Sequence, residues 1–156
     1  MGVNSFLDLD LSEQRLGAIE ALGWTVPTPI QAEAIPPGLA GTDVGGIAQT
    51  GTGKTGAFMI PALERLRSGG GLQVLALCPT RELAQQVSDD TASLAMGTNI
   101  RTAAIFGGVG YGPQIEALES GFEVIVATPG RFIDHAHSKR VDLSNVNCLV
   151  LDEADR

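Results

Sequence analysis

The amino-acid sequence predicts a three-layer α/β fold built on a parallel sheet. Short apolar runs alternate with stretches of helical periodicity through most of its 156 residues. Two of the runs, VLAL at Val74–Leu77 and VIVA at Val124–Ala127, are apolar throughout, which is typical of strands covered by helices on both faces. A third run leads into a glycine-rich loop and then a helical pattern. Alternation of this kind gives a parallel sheet whose ligands bind at the carboxyl ends of the strands.

The individual elements follow from the same periodicities. Leu83, Val87 and Leu94, for example, recur at the spacing of one helix face. Strands are predicted at Val44–Ala48, Gln73–Cys78, Arg101–Ile105, Glu123–Ala127 and Cys148–Leu151. Helices are predicted at Ser12–Leu22, Pro29–Leu39, Lys54–Arg67, Arg81–Ala95, Pro113–Glu119 and Arg131–His137.

The composition limits the classes of function. The chain is 44% apolar and 18% charged, as a folded globular protein is. Its net charge of −8 argues against a generally basic surface for nucleic acid, so any such site must be local. No apolar run reaches the roughly 18 residues of a membrane span, and the first residues lack the pattern of a secretory signal. We therefore predict a cytoplasmic protein that does not bind membranes.

The sharpest motif is AQTGTGKT at Ala48–Thr55. Gly51 and Gly53 let successive backbone N–H groups point at phosphate oxygens, and the helix that follows adds its dipole. In such a loop Lys54 reaches the β and γ phosphates, and the Thr55 hydroxyl ligates Mg²⁺. The alternative is an ordinary glycine-containing turn before a helix.

Acidic residues follow the last apolar run. Asp152 comes directly after Cys148–Leu151, a position from which it can hold Mg²⁺ through water. Glu153 can then orient and deprotonate the attacking water. The alternative is a solvated helix start, where the helix dipole favours acids. The phosphate loop upstream favours the first interpretation.

Six short blocks occur in a fixed order along the chain. They are GWTVPTPIQ (Gly23–Gln31), AQTGTGKT, PTRELAQQ (Pro79–Gln86), GG (Gly107–Gly108), TPGR (Thr128–Arg131) and DEAD (Asp152–Asp155). Together they resemble the first RecA-like domain of a DEAD-box RNA helicase, which is a P-loop NTPase. The resemblance runs from Phe6 to Arg156, and it implies one partial domain over residues 1–156. Residues 1–40 are then the adenine-recognition region, and residues 41–156 the core from the phosphate loop to DEAD.

The resemblance implies that the chain binds ATP or ADP with Mg²⁺. Gln31 would recognise the edge of adenine, because an amide offers a donor and an acceptor at once, and Phe6 would stack on the ring. Structural alternatives stay open, since Thr28–Gln31 is also a helix capping box and a single aromatic near a terminus is often a packing anchor. The implied nucleotide-binding residues are Phe6, Gln31, Thr50, Gly51, Thr52, Gly53, Lys54 and Thr55. Lys54, Asp152 and Glu153 would be catalytic, Thr55 and Asp152 would hold Mg²⁺, and Asp155 would couple the site to a second domain.

The PTRE and TPGR blocks share a physical logic. Thr80 and Thr128 are natural helix N-caps, and each is followed by a proline or arginine at the start of a helix, so backbone amides and positive charge face outward. The resemblance implies that these blocks and the GG pair hold the sugar-phosphate backbone of single-stranded RNA without regard to sequence. The alternative is that they only cap helices. The implied RNA-binding residues are Pro79, Thr80, Arg81, Gly107, Gly108, Thr128, Pro129, Gly130 and Arg131.

His135 and His137 are expected to be solvated. Helical residues two apart face different ways, which argues against a shared metal.

The resembled family continues beyond the DEAD block with a further strand, which inserts between the DEAD strand and the phosphate-loop strand. A second RecA-like domain follows, and its arginines reach the γ phosphate. We therefore expect little or no ATP hydrolysis and no unwinding by this chain alone. A sheet that lacks the strand would expose unpaired backbone groups, so we also expect destabilisation or self-association through the incomplete sheet.

Two other functions remain open. Another P-loop NTPase, such as a small-molecule kinase, would leave PTRE, GG and TPGR unexplained. A non-catalytic module that binds RNA or a protein partner would be excluded by RNA-independent turnover.

Overall fold

The structure, a computed structural model, describes residues 2–49 and 51–154. The roles predicted for Thr50 and Asp155 lie outside the described residues. The chain divides into two compact units. We call Met1–Arg65 with Asp90–Asn99 the helical unit, and Leu66–Asp89 with Ile100–Arg156 the sheet unit.

The helical unit begins with capped helices. A short 3-10 helix at Phe6–Asp8 starts from a capping box between Ser5 and Asp8, and α1 (Glu13–Ala21) starts from the Ser12 side chain. After it come α2 (Pro29–Leu39) and α3 (Lys54–Glu64), which pack against each other. The apolar side chains buried in this unit include Phe6, Leu9, Ile19, Ile35, Met59, Ile60, Leu63 and Leu94.

A buried ion pair ties α1 to α3. Arg15 Nε lies 3.0 Å from Glu64 Oε1, and Arg15 also donates to the carbonyl oxygen of Leu94. Ser12 donates to the same carboxylate through its hydroxyl and its backbone N–H. Burial lowers the pKa of the Arg15 guanidinium, and the Glu64 carboxylate opposes that shift. The carboxylate therefore compensates a cation that is only 2% exposed.

The sheet unit holds four parallel strands in the order β2-β3-β1-β4. The central strand β1 pairs Val74 with Val124 of β3 and with Cys148 of β4. Because every pairing is in matched register, the four strands end at one edge of the sheet. The strands are β1 (Val74–Leu77), β2 (Thr102–Ile105), β3 (Val124–Ala127) and β4 (Cys148–Leu151). Three helices accompany them, α4 (Arg81–Leu94), α5 (Gly112–Glu119) and α6 (Pro129–His137).

One face of the sheet is covered over β1, β2 and β3 but open over β4. The core on this face comprises Leu72, Leu75, Ile105, Ile125, Ala127 and Phe132. Leu149 and Leu151 of β4 pair with Leu75 and Leu77, so they lie on the same face, yet each is 57% exposed. The apolar face thus continues beyond the part that is covered.

Most of the predicted elements are confirmed, and one strand is wrong. The last four predicted strands and all six predicted helices are present with small differences at their ends, α3 for example stopping at Glu64 rather than Arg67. No strand forms at Val44–Ala48, where Ile47 is fully exposed. A parallel strand is held only by backbone hydrogen bonds to a neighbour, and no described residue pairs with this segment.

No helix in the described part of the chain is long and apolar enough to cross a membrane.

Replacing Glu64 by Ala should lower the free energy of unfolding by about 3–5 kcal/mol, because it leaves the buried Arg15 charge uncompensated. Urea unfolding of the purified protein measures the change. Glu20→Ala is the matched control, since Glu20 is an exposed carboxylate on α1. Equal effects of the two substitutions would contradict the assignment.

Candidate functional site

The phosphate loop forms the predicted turn at the start of α3. Gly51 and Gly53 have φ angles of 84° and 82°, in the left-handed region that glycine adopts without strain. Gly53 is the N-cap of α3, which begins at Lys54, so the glycine turn leads directly into the N-terminus of a helix. The two glycines therefore form a turn directly before a helix N-terminus, and the binding of phosphate by this turn stays a prediction.

Gln31 links this loop to the start of α2. Its Oε1 accepts from Thr28 N at 3.0 Å, and its Nε2 donates to the carbonyl oxygen of Gly53 at 3.0 Å. A Cβ on Gly53 would lie 2.6 Å from Gln31 Nε2 and 2.8 Å from Thr28 Oγ1. The capping box is therefore present, and it also fixes the position of the loop. The contact of Gln31 with adenine stays a prediction.

Phe6 occupies the position of a packing anchor. It is buried, and its ring stacks on Trp24 with centroids 6.4 Å apart and planes 28° apart. Trp24 in turn lies against Gly56 of α3, where a Cβ would come within 2.8 Å of the indole. The aromatic pair thus braces the helix that follows the phosphate loop. Stacking of Phe6 on adenine stays a prediction.

The predicted RNA-binding blocks meet at the carboxyl edge of the sheet. The Arg81 guanidinium lies 5.6 Å from the centre of the Phe106 ring, and its Nη1 would be 2.8 Å from a Cβ on Gly108. Arg131 donates from Nη1 to the carbonyl oxygen of Val109 at 2.8 Å. Cations of PTRE and TPGR therefore converge on the loop that holds the GG pair.

The two threonines behave differently at their helix starts. Thr80 Oγ1 accepts from Leu83 N at 3.2 Å, which is the predicted N-cap bond. Thr128 is the N-cap residue of α6, with Pro129 at the first helical position, but its side chain makes no capping hydrogen bond. Pro79, Thr80, Pro129 and Gly130 are exposed.

The acidic pair follows β4 without a helix. Asp152 is buried, and its backbone N–H donates to Leu77 O at 3.0 Å. Glu153 has a φ of 51°, a left-handed conformation that few residues other than glycine adopt. Its side chain is therefore directed by a strained backbone, and such strain is concentrated at functional sites.

The structure also places a partly buried polar cluster beside the GG loop, which the sequence analysis did not identify. Gln114 Nε2 donates to Phe106 O at 2.8 Å, and Gln114 Oε1 lies 3.2 Å from Arg131 Nη1 and 3.0 Å from His135 Nε2. Tyr111 stacks its ring 3.9 Å from the Arg131 guanidinium. One signal was available, because Gln114 and His135 stand at helical spacing from the apolar Leu118 and Phe132.

His135 is buried rather than solvated, so the expectation for it was wrong, whereas His137 is exposed as expected. Burial lowers the pKa of His135, nearby Arg140 and Arg131 lower it further, and Asp134 opposes them. The described residues contain no group of three or more His, Cys, Asp or Glu side chains arranged to hold a metal.

Comparisons with known proteins agree with the six motifs. A family model described as DEAD/DEAH box helicase matches residues 28–156. An Arabidopsis thaliana protein described as DEAD-box ATP-dependent RNA helicase 20 is 42% identical over 160 residues. That alignment covers 99% of this chain but 32% of the relative.

A solved structure shares the fold. The crystal structure of a DEAD box protein from the hyperthermophile Methanococcus jannaschii matches with a TM-score of 0.95 and 40% identity. The match covers 99% of this chain and 43% of the solved chain. The chain therefore spans less than half the length of either protein.

The depressed pKa of His135 predicts a pH dependence of stability. When the pH falls below 6.5, the ordinary pKa of histidine, the unfolded state binds more protons at His135 than the folded state does. The free energy of unfolding should therefore decrease as the pH is lowered below that value. Urea unfolding between pH 7.5 and roughly 5 measures this slope. His135→Asn should flatten this slope, and His137→Asn, at an exposed histidine, is the matched control. An unchanged slope in His135→Asn would contradict the assignment.

Proposed function

Because the chain belongs to the DEAD/DEAH box helicase family, we propose that it is the ATP-binding and single-stranded-RNA-binding part of a DEAD-box RNA helicase. In the longer protein it would couple ATP hydrolysis to the unwinding of RNA duplexes. The observation that carries the nucleotide part is the buried amide of Gln31, which joins the start of α2 to the phosphate loop at Gly53.

The phosphate loop binds the phosphates of ATP or ADP in this proposal. Backbone amides of Thr50, Gly51, Thr52 and Gly53 cradle the phosphates, and Lys54 neutralises the β and γ groups. The close approach of Gln31 to Gly53 leaves no room for a Cβ, as expected of a loop shaped by its backbone. Gln31 contacts adenine with the remaining hydrogen-bonding capacity of its amide, and Phe6 stacks on the adenine ring.

Mg²⁺ would be held by oxygen atoms of Thr55 and, through water, of Asp152. Both residue types offer the hard oxygen ligands that Mg²⁺ requires. The ion would neutralise charge that develops on the phosphates during transfer. Glu153 would orient the attacking water, and Asp155 would couple the site to other parts of the longer protein.

The RNA part of the proposal rests on the converging cations of the sheet unit. Arg81 and Arg131 flank the GG loop, and the exposed starts of α4 and α6 supply backbone amides. Such a surface holds phosphates and reads no base edges, so binding should be independent of sequence. Because the chain as a whole carries a net charge of −8, RNA should contact this local group of cations rather than the acidic remainder of the surface.

Hydrolysis and unwinding require more than this chain in our proposal. A second RecA-like domain would supply arginines to the γ phosphate, and an arginine of this kind is worth roughly 10³–10⁵ in rate. The cytoplasmic location predicted from the sequence stays a prediction.

Self-association of the 156-residue chain is a further part of the proposal. The exposed Leu149 and Leu151 continue the apolar face of the sheet, and β4 has a described neighbour only on its β1 side. Light scattering during gel filtration should therefore detect dimers whose fraction rises with concentration. Leu149→Lys with Leu151→Lys should shift the chain to monomer, whereas Leu143→Lys, at another exposed leucine, should not. A wild-type chain that is monomeric at all concentrations would contradict this part.

Nucleotide binding is tested by titration with a fluorescent ADP analogue and Mg²⁺. The wild-type chain should bind saturably. Lys54→Ala should weaken the binding of both ADP and pyrophosphate, because both ligands bind through the phosphate loop. Gln31→Glu should weaken the binding of ADP by about 1–3 kcal/mol, because a carboxylate cannot donate a hydrogen bond to the base. The variant should also lose the preference of the chain for ADP over GDP.

Gln86→Glu is the matched control, since Gln86 is exposed on α4. If Gln31→Glu weakens ADP and pyrophosphate equally, Gln31 acts only as an anchor of the loop. If a folded wild-type sample binds no nucleotide, the nucleotide part of the proposal is wrong.

A further inference from the structure

We propose that Gln114 is a positioning residue for RNA binding, which holds Arg131 and the GG loop in one arrangement. The inference rests on the RNA part of the proposed function. Gln114 carries no charge and is only 6% exposed, so it does not contact RNA itself. It acts through the groups that its amide touches.

The amide of Gln114 connects three elements. Its Nε2 donates to the carbonyl oxygen of Phe106, directly before Gly107 and Gly108. Its Oε1 accepts from Arg131 Nη1, near the start of α6. The same Oε1 meets Nε2 of His135, one turn further along α6. The ends of β2, α5 and α6 are thus joined by one side chain.

The contact with Gln114 fixes the tautomer of the neutral His135 ring. An amide oxygen only accepts, so His135 must donate from Nε2 and carry no proton on Nδ1 when neutral. Nδ1 is buried and has no hydrogen-bond partner among the described residues. The groups around the ring are the cations Arg131 and Arg140, the carboxylate Asp134 and the edge-on Tyr111. His135 therefore donates from Nε2 to one lone pair of Gln114 Oε1 and leaves the other lone pair to Arg131.

Arg131 is held on one side and open on the other. Its Nη1 donates to Val109 O and Gln114 Oε1, and its plane lies 3.9 Å from the centre of the Tyr111 ring. Within residues 2–49 and 51–154, Nε and Nη2 have no hydrogen-bond partner. These donors form the side of the guanidinium that can pair with a phosphate. Gln114 therefore determines which way the available donors point.

Loss of the Gln114 amide should loosen both ends of this arrangement. Arg131 would keep its charge but lose a fixed direction, and Phe106 O would lose its donor beside the GG pair. RNA affinity should fall although no RNA-contacting group has been removed. The loss should also depend on the presence of Arg131.

The test is a double-mutant cycle on binding of oligouridylate to the whole chain at several salt concentrations. Gln114→Met and Arg131→Ala should each weaken binding roughly tenfold. Each should also lower the salt slope by about 0.7, the value for one phosphate contact on a single strand. The double variant should bind RNA more tightly than the product of the two single effects predicts, because part of the Gln114 effect acts through Arg131. Gln85→Met, at an exposed glutamine of α4, should bind like wild type. If the loss of RNA affinity in the double variant equals the product of the two single losses, the inference is overturned.

Nuclear magnetic resonance of the His135 and Arg131 side chains separates this inference from the proposed function. The wild-type chain should show the Nε2–H tautomer, and Gln114→Met should move the resonances of both side chains. Gln114→Glu keeps an acceptor and adds a charge, so it should raise the pKa of His135 and serves if Gln114→Met does not fold. Unchanged resonances in the variants would overturn the inference. If the wild-type chain binds no RNA, the RNA part of the proposed function fails, and the resonances alone decide the role of Gln114.

Discussion

The pairing of β1 with β3 on one side and β4 on the other is the interaction on which the sheet unit depends. It joins Val74 to Val124 and Cys148, which are far apart in the sequence, and it makes the strands end together. The PTRE, GG and TPGR blocks and the first acid of DEAD therefore leave the sheet at one edge. The apolar segment 44–48 shows the opposite case, because without a described neighbour it forms no strand.

Buried glutamines fix the loops that the strands and helices present. Gln31 holds the phosphate loop at Gly53, Gln114 holds the loop after β2 at Phe106, and Gln73 closes the loop before β1 through Arg67. Each of these side chains is at most 6% exposed. A glutamine suits this position because it donates and accepts at once without carrying a charge into the interior. Loop geometry in both units thus depends on uncharged hydrogen bonds.

The sequence predicted the motifs and elements better than the environment of single side chains. Helix starts were predictable because capping is local, as at Thr28 and Thr80, where the hydroxyl bonds a backbone N–H three residues later. The burial of His135 was not predicted, because it depends on Gln114, 21 residues away. The stacking of Phe6 on Trp24 was not predicted either, and nor were the hydrogen bonds of Arg131 to Val109 and Gln114, because these contacts also join residues that are distant in the sequence.

The sequence by itself determined the order of the elements, the positions of the six motifs and the family, because periodicity, glycine content and caps are properties of neighbouring residues. Only the tertiary structure decided which polar groups are buried together and which apolar segments find a partner. It placed Gln114 between Phe106, Arg131 and His135, gave Glu153 its left-handed backbone and left Leu149 and Leu151 exposed. The physical reason is that burial and hydrogen bonding join residues distant in sequence, and a local pattern carries no information about their partners.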